Sequence, residues 1–283
     1  KKKVSLAQRE IRGVYAQGSF YKSKNSNFVM SDKDGDLSWS VNGYIYDNIN
    51  NYPYRGSETG FDANGVLNLL RTSSGLSHGN SRGGGVGPRL SWALANGDTL
   101  TWQSFVNLNR GDGRNNFAYE VSSGPALPYQ NSQSRSAYQN DFLRTDLNWI
   151  HKLAGNAKLD WKVGAYKGKN RNDNFLQGFN FAGQQNLERT VNTSSSDEGF
   201  TFAGKFSTPI IEGHSLVTGW DTGLNKRSEH AVQQDKPFPG VLPAVTAFNT
   251  DEVFNASVLK LAAFAQDEWN ITPQWSVYLG LRW

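Results

Sequence analysis

Four histidines, one aspartate-rich run and one glycine-rich run are the residues here whose types and spacing could do chemistry. His78, His151, His214 and His230 are scattered, and none has a second His, Asp or Glu at ligand spacing on one strand face. Asp32-Lys33-Asp34-Gly35-Asp36 resembles the opening of a calcium loop, but the downstream bidentate Glu is missing. It reads as a polar turn. Ser81-Arg82-Gly83-Gly84-Gly85-Val86-Gly87 lacks the Lys-Ser/Thr of a phosphate loop and reads as close packing at a strand start. No nucleophile–base pair can be assembled. The expectation is a non-enzyme with no catalytic residues, no metal and no cofactor.

The elements that carry these residues explain the composition. The chain has 283 residues, only 37% of them hydrophobic, a mean hydropathy of −0.59, and yet 9 Trp, 11 Tyr and 16 Phe. A soluble core rich in aromatics would also hold abundant Leu, Ile and Val. A membrane barrel resolves the conflict, because alternate residues face lipid and the others line a wet lumen. No run approaches the length a membrane helix needs. Lys1-Lys2-Lys3-Val4-Ser5-Leu6 has neither the apolar core nor the cleavage site of a signal peptide. Zero cysteines exclude disulfides and thiolate sites. The net charge of +4 is dispersed, with no basic block of the nucleic-acid type.

Period-two alternation predicts strands. In 37–47, Leu37, Trp39, Val41 and Ile45 oppose Ser38, Ser40, Asn42, Tyr44 and Tyr46. Segments 99–109, 158–168 and 275–283 repeat the scheme, and partners fall at 27–34, 85–94, 139–151, 199–209, 214–226 and 257–270. A first strand at 10–23, followed by a short connection near Asn25-Ser26-Asn27, brings the expected count to about eleven. Tight turns are expected at Asp34-Gly35-Asp36, Ala95-Asn96-Gly97-Asp98, Ala154-Gly155-Asn156, Glu212-Gly213-His214 and Thr272-Pro273-Gln274. Between them, 48–84, 110–138, 169–198 and 227–256 read as long polar loops. Short turns alternating with long loops are the wiring of an outer-membrane barrel. A large soluble β-protein is the competing reading. A propeller fits less well, since a blade needs four short strands where only two long ones fit.

Arg144, Asp146, Asp160, Lys162, Lys205, Asp221, Lys260, Glu268 and Arg282 share the polar parity, as lipid exclusion of charge requires. Asp267 departs from it, beside Trp269, at a height that suits the interface. Trp39, Trp92, Trp102, Trp149, Trp161, Trp269 and Trp275 lie within a few residues of tight turns and predict an interfacial girdle. Bacterial barrels close with even strand numbers, so eleven strands suggest part of a barrel. A complete small barrel of ten or twelve strands is the alternative, to be decided by whether 10–23 pairs with 275–283.

Ala262-Ala263-Phe264-Ala265-Gln266-Asp267-Glu268-Trp269, Ile271-Thr272-Pro273 and Leu279-Gly280-Leu281-Arg282-Trp283 resemble the mid-barrel hairpin of TonB-dependent outer-membrane receptors. Tyr15-Ala16-Gln17-Gly18-Ser19-Phe20 is similar to that family's first barrel strand, and Lys1-Lys2-Lys3 looks like the exit from its plug domain. The resemblance implies an all-β fold: a transmembrane antiparallel up-and-down β-barrel, with residues 1–283 forming half of a 22-stranded wall. It also implies a bacterial outer-membrane location and TonB-energised uptake of a bulky nutrient chelate, most often a ferric siderophore. The implied partners are outer-membrane lipid, the chelate, and TonB through a plug domain that 1–283 does not contain. No nucleic acid is expected, and the expected state is a monomer. On that basis the ligand would meet aromatic and basic loop residues: Tyr52, Tyr54, Arg55, Arg110, Arg114, Phe117, Tyr119, Arg171, Phe175, Phe179, Phe181, Lys226 and Arg227. Aromatics offer rigid contact area, and Arg offers planar donors for carboxylate, catecholate or phosphate oxygens. For each the competing reading is an ordinary solvated loop residue. A passive porin and a structural or adhesin-like barrel are the competing functions.

Overall fold

The computed structural model describes residues 7–125 and 127–283. Lys1–Leu6, expected to lack a signal peptide and to resemble the exit from a plug domain, lie outside the described residues. Eleven strands follow one another: β1 (Gln8–Gln17), β2 (Tyr21–Asp34), β3 (Leu37–Phe61), β4 (Leu67–Ala93), β5 (Thr99–Ser123), β6 (Asn131–Lys152), β7 (Lys158–Phe179), β8 (Gln185–Ile211), β9 (His214–Pro237), β10 (Thr250–Thr272) and β11 (Trp275–Arg282). They form one antiparallel sheet in strict chain order. Among the described residues β1 bonds only to β2 and β11 only to β10, so the sheet stays open and the small closed barrel is not formed. In hydrocarbon every backbone donor and acceptor needs a partner, and each interior strand has one on both sides.

The five tight turns fall where Gly, Asn and Thr predict them. Gly35, Gly97, Gly155 and Gly213 adopt φ of +55°, +85°, +69° and +79°, the left-handed region that a Cβ disfavours. The turn after β10 has no glycine. There the Thr272 hydroxyl oxygen accepts from the backbone N–H of Gln274 (3.3 Å) and Trp275 (3.1 Å).

Three expectations need correction. The first turn lies at 18–20, where the Gly18 N–H donates to the Tyr21 carbonyl at 2.9 Å; Asn25-Ser26-Asn27 is mid-strand and paired on both sides. The four long loops are mostly strand. β3 and β4 run on to Phe61 and from Leu67, leaving only 62–66 as loop, and the other connections shrink to 124–130, 180–184 and 238–249. Above the apolar zone both faces are polar, so hydrophobic alternation vanishes while the hydrogen-bond ladder continues. The third correction is the glycine-rich run, which sits mid-β4. Gly83 and Gly85 lie opposite Tyr46 and Tyr44 of β3. The missing side chain at Gly83 lets the Tyr46 hydroxyl cross β4 and donate to Asn109 Oδ1 of β5 at 2.9 Å.

The two faces differ as the alternation requires. On the apolar face Trp39, Leu90, Trp102, Leu147, Val163 and Phe202 stand in register across six strands. Trp149, Trp161, Phe202 and Trp220 continue as a ladder of rings 5.5–6.4 Å apart. On the polar face Asp146 meets Arg144 (2.9 Å) and Lys162 (3.3 Å), and Asp221 meets Lys260 (2.6 Å) and Arg282 (3.2 Å). Charges are thus neutralised in pairs along the lumen side. Asp267 also has a partner: its carboxylate lies 2.8 Å from His214 Nδ1, and the His214 ring stacks on Trp269 at 5.1 Å.

Candidate ligand-contact surface

Strand parity divides the thirteen residues between two faces. Tyr52, Tyr54, Phe117, Tyr119 and Arg227 share the polar, lumen-side parity. Arg55, Arg110, Arg114, Arg171, Phe175, Phe179 and Lys226 share the parity of the apolar face, above its apolar zone. Phe181 stands exposed in the turn between β7 and β8. Exposure along 108–120 alternates accordingly: even positions are exposed and odd ones half-covered, as expected if the lumen side is concave.

The lumen-side aromatics form a continuous ledge near the upper ends of the strands. The Tyr54 ring meets Phe117 edge-on at 5.4 Å, Phe117 lies 6.5 Å from Tyr119, and Tyr119 meets Tyr129 at 6.0 Å. Gly75 occupies the β4 position between Tyr54 and Phe117. A Cβ there would come within 2.5 Å of Phe117 Cδ1, so its absence is what lets the two rings touch. Tyr52 pairs instead with Phe20, at 6.4 Å. Such ring pairs contribute about 0.5–1.5 kcal/mol beyond area burial and hold each ring in one orientation. Tyr129 is packed against the Gly178 backbone, and burial pushes its hydroxyl pKa upward.

The ledge is fixed from above by interlocked loops. Asn180 Oδ1 accepts from the N–H of Ala182 (3.0 Å) and Gln184 (2.9 Å), while its Nδ2 donates to the Leu242 carbonyl at 2.7 Å. Buried Asn186 donates to the carbonyls of Pro128 and Pro243. Pro128, the 180–184 turn and the 238–249 connection are thereby tied to one another through Asn180 and Asn186, next to buried Leu187 in β8. Beneath them Arg189 grips Asp235 through two bonds of 2.7 Å. Arg227 is occupied by Asp197 (3.2 Å) and Glu229 (2.7 Å). Among the described residues no group of three or more His, Asp or Glu could hold a metal ion.

Sequence reasoning missed Phe20, Tyr129, Arg189 and Asp235. Tyr129 follows a proline in what reads as loop, and the Arg189–Asp235 pair needs the β8–β9 register, which no local pattern supplies. Arg55 and Phe181 border one groove of about 710 Å³, and Arg110 and Arg171 border another of about 340 Å³.

Residues 89–283 match the family model described as "TonB dependent receptor-like, beta-barrel". No curated protein matches the chain. Among solved structures, the ferric yersiniabactin uptake receptor FyuA from Yersinia pestis shares 11% identity with a TM-score of 0.37, over 96% of this chain and 46% of that one. The siderophore receptor PiuA from Acinetobacter baumannii shares 10% identity with a TM-score of 0.36, over 98% of this chain and 49% of that one. The ferric citrate transporter FecA shares 9% identity with a TM-score of 0.32, over 96% of this chain and 43% of that one. The chain spans about half the length of these proteins. With its family model matched over most of its length and its single antiparallel sheet, the chain belongs to the TonB-dependent receptor β-barrels of the bacterial outer membrane.

Proposed function

We propose that residues 1–283 form one barrel-wall unit of a monomeric receptor that takes up a bulky nutrient chelate, a ferric siderophore above all, with energy from TonB relayed through a plug domain. The observation that carries this reading is the ledge of Tyr54, Phe117, Tyr119 and Tyr129 on the lumen side above the apolar zone. A large, semi-rigid chelate presents flat apolar edges alongside polar oxygens. Preorganised rings meet those edges at little entropic cost, because two torsions fix each ring. Arg71, bonded to Glu58, and Arg189, bonded to Asp235, stand in the same upper tier and leave donors for oxygens.

The test is equilibrium binding of a ferric siderophore panel to the full receptor carrying Tyr54→Ala and Phe117→Ala together. A loss of about tenfold or more in affinity is expected, the scale of one to two ring contacts. Unchanged affinity across a panel that binds the parent receptor would remove the ledge from the site. Uptake that persists without TonB would overturn the energised reading.

A further inference from the structure

Arg82 of β4 and Arg110 of β5 are directly opposite each other across the strand pair, on the apolar-face parity. Arg114 of β5 and Arg135 of β6 repeat the arrangement in the next strand pair. Like charges facing each other across strands destabilise a sheet unless something neutralises them. Among the described residues none of these four arginines makes an ion pair, and all four are exposed. Arg171 of β7 stands in the same cross-strand row as Arg110, separated from it by Gln139, and Lys169 is the next residue on that face.

The height of this band limits what can neutralise it. From Leu100, at the lower end of the β5 apolar stripe, ten residues rise to Arg110; at about 3.4 Å each this is roughly 34 Å of strand. A tilt of about 45° reduces that to roughly 24 Å, close to the ~25 Å apolar band of an outer-membrane barrel. Arg82, Arg110 and Arg171, in one row, therefore emerge just above the hydrocarbon, on the side turned away from the lumen, where lipid headgroups sit. Arg114 and Arg135 stand about 10 Å higher. A groove of about 340 Å³ opens there between Arg82, Arg110 and Arg171, with Asn80, Gln139 and Asp112 on its walls. A second, of about 420 Å³, adjoins it through Gln139 and Arg171 and holds Lys169 with Ser194, Ser196 and Ser228; the carboxylate of Asp141 also borders it and accepts from the Gln139 amide at 2.6 Å. Asp173, which also borders the first groove, is bonded to Arg171 at 2.8 Å.

We infer that this outward band is a binding site for a phosphorylated lipid headgroup of the outer leaflet, whose phosphates sit between the facing arginines. Planar guanidinium groups suit phosphate oxygens through paired donors, and the serine hydroxyls and the Gln139 amide oxygen, its nitrogen being bonded to Asp141, suit the sugar or glycerol hydroxyls beside a headgroup phosphate. The site is independent of the chelate held in the lumen.

The full receptor, purified in neutral detergent, is titrated with a glucosamine-based lipid bearing two phosphates and with its dephosphorylated form. The phosphorylated lipid should bind at least about tenfold more tightly, and the triple variant Arg82→Gln, Arg110→Gln, Arg171→Gln should lose about tenfold or more, since each cation near an anionic surface is worth about 1 kcal/mol. Lys205→Gln, on the lumen-side parity, should bind as the parent does. If the triple variant fails to fold, the single Arg110→Gln variant and the salt dependence of the parent carry the test. Raising salt should weaken parental binding severalfold. Equal binding of the dephosphorylated lipid, no loss in the arginine variants, or an equal loss in Lys205→Gln would overturn the site. Displacement by inorganic phosphate at the lipid's own concentration would overturn the lipid as its source.

Discussion

Arg189 and Asp235 face each other across β8 and β9, joined by two parallel bonds of 2.7 Å, with the carboxylate fully covered and the guanidinium partly open. The arginine bonds hold Asp235 below the usual carboxylate range; burial opposes them, and the Phe248 N–H (3.3 Å) adds to them. The same aspartate thereby anchors the 238–249 loop. Truncating Arg189 to alanine leaves a covered carboxylate without its partner, an effect of about 3 kcal/mol. Hydrogen exchange at 186–190 and 233–249 should accelerate by about two orders of magnitude while β4 and β5 are unaffected. Because the folded carboxyl is depressed, its stabilisation is present above the ordinary carboxylate pKa and fades as pH falls through the folded value. The wild-type loop should therefore loosen only in acid.

Asp98 makes the corresponding anchor at the opposite, tight-turn end. Its carboxylate accepts from Trp149 Nε1 (3.1 Å) and the Lys152 N–H (2.9 Å) and lies 2.7 Å from His151 Nδ1. Burial pushes its pKa up, but bonds from the Lys152 N–H, His151 and Asn96, with the His151 charge, outweigh it and bring the value to about 2. Asp98→Asn should lower the unfolding temperature at pH 7. The difference from wild type should shrink as pH falls from about 4 to 2, as the unfolded carboxyl takes up its proton and wild-type Asp98 in the folded protein begins to do so. A gap that persists unchanged at pH 2 would contradict this assignment.

Gly75→Ala offers a test of the ledge that removes no ring. Its Cβ would crowd Phe117 and the Asn116 backbone, forcing Phe117 away from Tyr54. Chelate affinity should fall about as far as for Phe117→Ala, with strand content by circular dichroism unchanged. A substitution that binds normally would mean that ledge geometry is irrelevant to the ligand.

Gly83→Ala asks the same of the barrel wall lower down. A Cβ would stand 2.6 Å from the Leu108 carbonyl and 3.0 Å from Tyr46 Cε1, displacing the tyrosine from Asn109. Overpacking of this kind costs about 1–3 kcal/mol. The expected readout is faster exchange along β3–β5 and a lower unfolding temperature, without change in the β8–β10 hairpins.

The sequence carries those parts of the fold that one residue can dictate. Gly35, Gly97, Gly155 and Gly213 mark their turns because positive φ excludes most other residues. The lipid face of 37–47 and 99–109 is legible because hydrocarbon rejects charge at every second position. Above the membrane neither face is rejected by its solvent, so Asn48–Phe61 and Leu67–Gly84 carry no pattern even though the ladder continues through them. For the same reason the candidate residues are identifiable by type, while their division between lumen and exterior is not. Arg110 and Phe117 differ by an odd number of positions, which decides the face only once the strand is known to run unbroken between them.

Because every strand bonds only to its chain neighbours, the wall has no crossover that commits distant parts of the chain to one another. Removing one up-and-down pair, such as β6 with β7, would leave β5 and β8 running antiparallel, with their apolar parities on the same side. The fold is thus countable in hairpins. Its circumference can change by whole pairs without rewriting what remains, so lumen width and ligand size can diverge among such walls while the membrane-facing stripe is conserved in form.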